Sequence, residues 1–214
     1  MEPEQHFGDD RYALRLGDFL KFEIKSLVGR WRSPARRKPA APLLQIGSGS
    51  NLIDGFDNLD FYSVRGRGAK IATDLRFPLP YDDRAYDGAF SEHTLEHLRS
   101  ADALQLLREV RRVLKPGSVF RVVVPDLAQY IAFYNGAATS PEFGRFASGC
   151  EAIWSLTQNY GHLSCWDEGM LTRQLVAAGF TSASRASFGR GCDPRLVQDQ
   201  PSRRWESLYV DAVA

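Results

Sequence analysis

From Arg11 to Trp31 the apolar residues Leu16, Leu20, Ile24, Leu27, Val28 and Trp31 recur at helical spacing, with Phe19 and Phe22 widening the stripe. That period predicts an amphipathic helix. The next ten residues, Ser33 to Pro42, hold Pro34, Pro39 and Pro42 and read as a linker, because proline fixes its own φ and removes a backbone donor. Short apolar runs then alternate with polar turns. Strands are predicted at Leu43–Ile46, Asp57–Asp60, Lys70–Thr73, Tyr86–Ser91 and Ser118–Val124, with a late pair at Ser182–Phe188 and Glu206–Val213. A helix over Ala101–Lys115 places Leu104, Leu107, Val110 and Leu114 on one face and stops at Pro116-Gly117; a second, Glu168–Ala178, stops at Gly179. Strands alternating with helices imply an α/β fold with a largely parallel sheet. Leu127 to Trp166 is rich in aromatic residues and shows no clear period.

The 214 residues, 43% of them hydrophobic and 25% charged, suffice for one sizeable core and exclude collagen-like, low-complexity and disulfide-framework classes. The expected organisation is a basic helix and linker over 1–42 and one domain over 43–214, in which 127–166 is a variable segment. Cys150, Cys165 and Cys192 are few, scattered and odd in number, which fits a reducing cytosol. No apolar run reaches the roughly 20 residues that cross a bilayer, and Met1 to Asp10 lacks a signal-peptide pattern. A formal charge of +1 argues against a nucleic-acid partner. That balance conceals a contrast. Between Arg11 and Lys38 stand nine basic residues against Asp18 and Glu23, whereas from residue 39 onward 18 basic residues face 20 acidic ones. A basic amphipathic helix of this kind can lie on an anionic membrane surface or pack over the domain.

The run Leu43-Leu44-Gln45-Ile46 ends abruptly in Gly47-Ser48-Gly49-Ser50-Asn51. Glycines there permit backbone angles closed to other residues and allow a ligand to approach the main chain, at the strand end where nucleotide-like ligands bind. Asp60 closes the second predicted strand and can accept hydrogen bonds from ribose hydroxyls. Asp74, before Leu75, closes the third and can face an adenine amino group. Each alone is equally an ordinary turn residue; the three in series point to a nucleoside-containing ligand.

In this order, Leu43 to Asn51, Asn58-Leu59-Asp60, Asp74 to Tyr81, Tyr86 to Leu98, Glu109 to Gly117 and Val122 to Leu127 resemble a class I S-adenosylmethionine (SAM) methyltransferase. Nearest are small bacterial, type 11-like members associated with cell-surface polysaccharide synthesis. Fainter likeness continues through Gly161-His162, Ala178-Gly179-Phe180 and Glu206 to Val210. The resemblance implies a Rossmann-like seven-stranded sheet with one antiparallel strand and helices on both faces. It implies SAM as cofactor, with Gly47, Ser48, Gly49 and Asn51 at the methionine part, Asp60 at the ribose, Asp74 and Leu75 at the adenine, and Ser91 and Glu92 near the sulfonium. Two departures stand out: Gln45 occupies a position often acidic in the class, and Asp60 follows Gly49 by only 11 residues. A dinucleotide fold expects about 20 between turn and acid, so the short spacing disfavours an NAD-dependent dehydrogenase and predicts a mere turn as the first crossover.

His93-Thr94-Leu95-Glu96-His97 also matches the inverted zinc-peptidase motif His-x-x-Glu-His. No third ligand stands out along the chain and His93 falls where a parallel strand ends, so the sequence assigns no metal. For proton transfer from an acceptor hydroxyl, His162 and His93 are the candidate bases, with Asp126 third. The chain lacks both the Asn/Asp-Pro-Pro-Tyr/Phe tetrapeptide of adenine-N6 enzymes and the Pro-Cys nucleophile of cytosine-C5 enzymes. The expected acceptor is a hydroxyl of a saccharide or lipid-linked glycan, by resemblance; the alternatives are a methyltransferase-like binding subunit without turnover and a small-molecule N-methyltransferase. The expected location is cytoplasmic, peripheral on the inner face of the cell membrane if the basic helix binds lipid.

Overall fold

A computed structural model describes residues 20–21, 23–24, 26–27, 36–61 and 70–214. Seven strands, β1 (Leu43–Ile46), β2 (Phe56–Asp60), β3 (Lys70–Ala72), β4 (Tyr86–Glu92), β5 (Leu114–Pro125), β6 (Ser182–Arg185) and β7 (Ser207–Val213), form one sheet in the order β3-β2-β1-β4-β5-β7-β6. β7 runs antiparallel to both β5 and β6, and the remaining pairs are parallel. This is the expected seven-stranded, Rossmann-like sheet. β1 is buried along its whole length and Val122, Val123 and Val124 of β5 are fully buried, as strands covered on both faces require. From β1 the chain winds outward through β2 and β3, then returns to place β4 on the other side of β1. That reversal opens a crevice beyond the carboxyl ends of β1 and β4. No helix lies between β1 and β2, as the short spacing predicted.

Helix α1 (Ser100–Val113) buries Leu106, Leu107 and Val110 on one face of the sheet. Beside it, α4 (Glu168–Ala177) buries Leu171 and Leu175. The opposite face packs Leu43, Phe56, Phe90, Val123 and Tyr209 against Leu196 of a 3-10 turn, Pro194–Leu196. That turn is fastened by Arg121 of β5, a fully buried cation paired with Asp199 at 2.6 Å and Asp211 at 2.9 Å. β6 is shorter than predicted because a turn closes at Ser187–Arg190, where each residue's N–H donates to the other's carbonyl.

The segment without a visible period contains two helices, α2 (Leu127–Tyr134) and α3 (Gly149–Gln158), joined through a 3-10 turn, Pro141–Arg145. Their aromatic residues pack on one another: Tyr130, Phe133, Phe143 and Phe146 cluster with Trp205, with ring centroids 5.0 Å apart for Tyr130–Phe143 and Phe143–Trp205. Asp126 caps α2, accepting the Ala128 N–H at 3.1 Å, and pairs with Arg185 at 3.3 Å.

Of the predicted N-terminal helix, Leu16, Phe19, Phe22, Val28 and Trp31 lie outside the described residues. The described positions from Leu20 to Leu27 are helical, and their apolar side chains face outward: Leu20, Ile24 and Leu27 are 52%, 61% and 61% exposed, while Ser26 is buried. Ser26 Oγ donates to Asp74, and Glu23 accepts from Arg76 at 2.6 Å, so among the described positions Glu23 and Ser26 bond to the domain. The end of the linker is held too. Arg37 N–H donates to Pro80 O at 2.6 Å, and Ala40 N–H to Asp57 Oδ2 at 3.0 Å.

Candidate active site

The glycine turn folds over the end of β2. Gly47 and Ser48 N–H both donate to Leu59 O, at 2.9 and 3.0 Å, and Gly49 N–H donates to Asp60 Oδ2 at 2.6 Å. Gln45 Nε2 donates to Asn51 O at 2.9 Å, closing the turn from below. Gly47 has φ +70°, and a Cβ on it would lie 2.0 Å from Thr94 Oγ1; only glycine lets the turn after β1 pack on the turn after β4. Gly49, at φ +54°, faces open space.

Around this crevice several buried oxygens lack any hydrogen-bond partner among the described residues: Gln45 Oε1, Ser48 Oγ, Thr73 Oγ1, Ser91 Oγ and Glu92 Oε2. Buried polar atoms are rarely left so, and a row of them beyond β1, β3 and β4 fits a ligand carrying an ammonium, a carboxylate and hydroxyls. Burial pushes the Glu92 carboxyl up, against a hydrogen bond from Gln200 N–H at 2.9 Å. Gly47, Ser48, Gly49, Asn51, Asp60, Ser91 and Glu92 thus lie at or just beyond the carboxyl ends of β1, β2 and β4. Leu75, expected at the adenine, is buried. Asp74 lies beside it, but its oxygens are engaged by Arg76 and Ser26. Burial would raise the Asp74 carboxyl, yet those bonds together hold it below its ordinary value.

Past the end of β4 a cavity of about 240 Å3 contains both candidate bases, His93 and His162, along with Glu96, His97, Tyr160 and Arg203. A neighbouring cavity of about 290 Å3 shares Tyr130, Ser155, Tyr160, Arg203 and Glu206 with it. His93 (φ +49°) and Tyr160 (φ +60°) adopt left-handed backbone angles that non-glycine residues seldom hold, a strain common where side chains are aimed at a ligand. Ser207 Oγ donates to Arg203 O at 2.7 Å, so His93 Nε2, 2.9 Å from that oxygen, carries the proton and Nδ1 carries the lone pair. His162 Nδ1 lies 2.7 Å from Leu156 O and donates to it, leaving Nε2 as its lone-pair atom. Burial, reinforced for both by Arg203, depresses the imidazoles to about 3 at His93 and about 4 at His162. Both are therefore neutral at physiological pH. Burial pushes Glu96 the other way, up to about 8.

Arg203, Glu206 and Ser207 were not foreseen in the site. They arrive from the far end of the chain; Glu206 and Ser207 lie in the stretch of fainter likeness, and no local motif marks Arg203. Tyr130 was expected as a lid aromatic, and its hydroxyl donates to Glu206 Oε2 at 2.6 Å.

Residues 59–122 match the methyltransferase domain family. No curated protein matches the chain. Among solved structures, a SAM-dependent methyltransferase from Mesorhizobium loti is 17% identical, with 88% of this chain and 96% of that one covered and a TM-score of 0.52. A SAM-dependent methyltransferase from Archaeoglobus fulgidus is 15% identical, with 96% and 97% covered and a TM-score of 0.51. A possible histamine N-methyltransferase from Thermotoga maritima is 13% identical, with 90% and 88% covered and a TM-score of 0.52. These likenesses establish a Rossmann-like fold. The family match runs from Leu59 in β2 to Val122 in β5.

Proposed function

We propose that the chain transfers a methyl group from SAM to an acceptor hydroxyl seated in the His93–His162 cavity, and that the acceptor is a saccharide or lipid-linked glycan. The observation that carries this reading is the continuity of two sites along β4. Ser91 and Glu92 end the strand at the crevice with unsatisfied oxygens, and His93 follows immediately in a cavity with a second neutral imidazole. SAM supplies an electrophilic methyl on a positively charged sulfur, so the protein's work is to bind, align and keep water out. Asp60 and the Gly47–Asn51 turn hold the cofactor. His162 Nε2 or His93 Nδ1 takes the proton from the attacking hydroxyl. A lipid-linked acceptor is supported by the outward row Leu20, Ile24 and Leu27 within the most basic stretch of the chain, which suits an anionic bilayer surface. No helix among the described residues is long and apolar enough to cross a membrane.

The test is methyl transfer from labelled SAM into a saccharide-lipid fraction by the full chain and by His162→Ala and His93→Ala. The proposal expects at least one variant to lose about 100-fold or more in turnover, the scale of a lost general base, with SAM affinity unchanged. Unchanged turnover in both removes the histidines from the chemistry, and binding without transfer to any acceptor favours a non-catalytic binding subunit.

A further inference from the structure

Glu96 is the most conspicuous group the proposed reaction does not use. Its side chain is 1% exposed, and neither carboxyl oxygen has a hydrogen-bond partner among the described residues. A buried carboxyl of this kind costs several kcal/mol if ionised with nothing to balance it, so it must keep a proton or meet a cation. Two imidazoles are placed to share such a cation. One ligand atom each from Glu96, His97 and His162 lie within 4.8 Å of one another, and His97 and His162 meet edge-on with centroids 4.9 Å apart. The backbone fixes this meeting. Leu163 and Ser164 N–H both donate to Glu96 O, at 2.7 and 3.1 Å, which ties the segment carrying His162 to the 3-10 turn Leu95–His97.

The outer contacts are those a metal site needs. His162 donates its Nδ1–H to Leu156 O at 2.7 Å, so that ring is held in one tautomer with Nε2 left as a donor of electrons. The linear His-x-x-Glu-His motif suggested His93 and His97 as a helical pair without a third ligand. The structure pairs differently, because Leu95–His97 is a 3-10 turn and His93 sits before it at φ +49°. His93 instead points Nδ1 at Glu96 Oε1 from 3.4 Å, and the missing ligand comes from His162.

We propose that Glu96, His97 and His162 bind a divalent transition-metal ion of the Zn2+ class. Two imidazoles and one carboxylate leave at least one coordination position open, and here that position faces the cavity. If the proposed function holds, the open position takes an oxygen of the acceptor. His162 then serves the chemistry as a ligand. Metal binding itself does not depend on that reading.

The experiment is a calorimetric titration of the full chain, stripped of metal by a chelator, with Zn2+, alongside Co2+ titration followed by its visible ligand-field absorption. One ion per chain is expected, with ligand-field bands of a site of low coordination number. Exposed His97→Ala, His162→Ala and the near-isosteric Glu96→Gln should each weaken Zn2+ binding by about 100-fold or more. Circular dichroism and SAM affinity should stay unchanged in His97→Ala. A chain that binds no ion, or one whose Zn2+ affinity is unmoved in His97→Ala and His162→Ala, overturns the proposal. Stoichiometric, variant-sensitive binding without methyl transfer leaves the metal site standing and defeats the proposed function instead.

Discussion

The Asp60 carboxylate accepts the backbone N–H of Gly49 at 2.6 Å, so the acid that closes β2 also shapes the glycine turn that closes β1. One residue thereby serves both the turn's conformation and the place where ribose hydroxyls are expected. Asp60→Ala should destabilise the domain by about 1–2 kcal/mol, the worth of a hydrogen bond to a charged group at a partly exposed site. Asp60→Asn keeps an acceptor for Gly49 and should lose less. Urea unfolding of the two variants checks the order, and equal losses would show that the bond to Gly49 adds nothing to stability.

Gly47→Ala should be far more damaging. It forces a side chain into φ +70° and places a methyl 2.0 Å from Thr94 Oγ1. The combined strain and overpacking come to about 2–4 kcal/mol, or roughly 5–15 °C of melting temperature for a domain of this size. Adding Thr94→Ala removes the two shortest contacts and should recover part of the loss. Melting of Gly47→Ala at the wild-type temperature would refute the close packing of the two turns.

The contact between the N-terminal segment and the domain should respond to acid. Asp74, bonded to Arg76 and Ser26, is held below its ordinary value of 3.8. A carboxylate lowered by folding stabilises the folded state above its unfolded value, and that contribution disappears as pH falls through the lowered one. Asp74→Asn should therefore cost about 1–2 kcal/mol at pH 7, with the difference from wild type shrinking below about pH 4. Melting curves from pH 7 to pH 3 measure it; a gap that is constant or widens on acidification contradicts the assignment.

The outward row Leu20, Ile24 and Leu27 should govern attachment to anionic vesicles. Replacing all three by Glu removes apolar area and adds charge of the wrong sign, so partition into phosphatidylglycerol-containing vesicles should fall about 100-fold or more. Co-sedimentation at low and raised salt measures this. Equal partition of the two proteins would remove the membrane from the account.

How far the chain's own pattern reveals these features differs from element to element. Leu43–Ile46 is readable because a fully buried parallel strand is a short apolar run and Gly47 punctuates it. Asp60 follows from a strand end for the same reason, whereas Ser91 and Glu92 are reached only through the resemblance. The helices between Leu127 and Gln158 escape periodicity because their aromatic residues pack around Trp205, a partner from the far end of the chain, so no local stripe forms. The helix near Leu20 misleads in another way. Its apolar spacing suggests a buried face, yet Leu20, Ile24 and Leu27 are exposed, and the described contacts with the domain are hydrogen bonds of Ser26 and Glu23 to Asp74 and Arg76 that spacing does not encode. The meeting of Glu96 with His162 is likewise invisible, since it depends on the left-handed turn at Tyr160 and on two backbone bonds to Glu96 O.

The central claim is that the crevice beyond β1, β2 and β4 binds SAM, and calorimetric titration of SAM into the wild-type chain and into Asp60→Ala tests it most directly. One SAM per chain, competed by S-adenosylhomocysteine and weakened about tenfold or more in Asp60→Ala, is the result expected from losing a charged partner of the ribose. No binding by the wild-type chain, or the same affinity in both proteins, would contradict it.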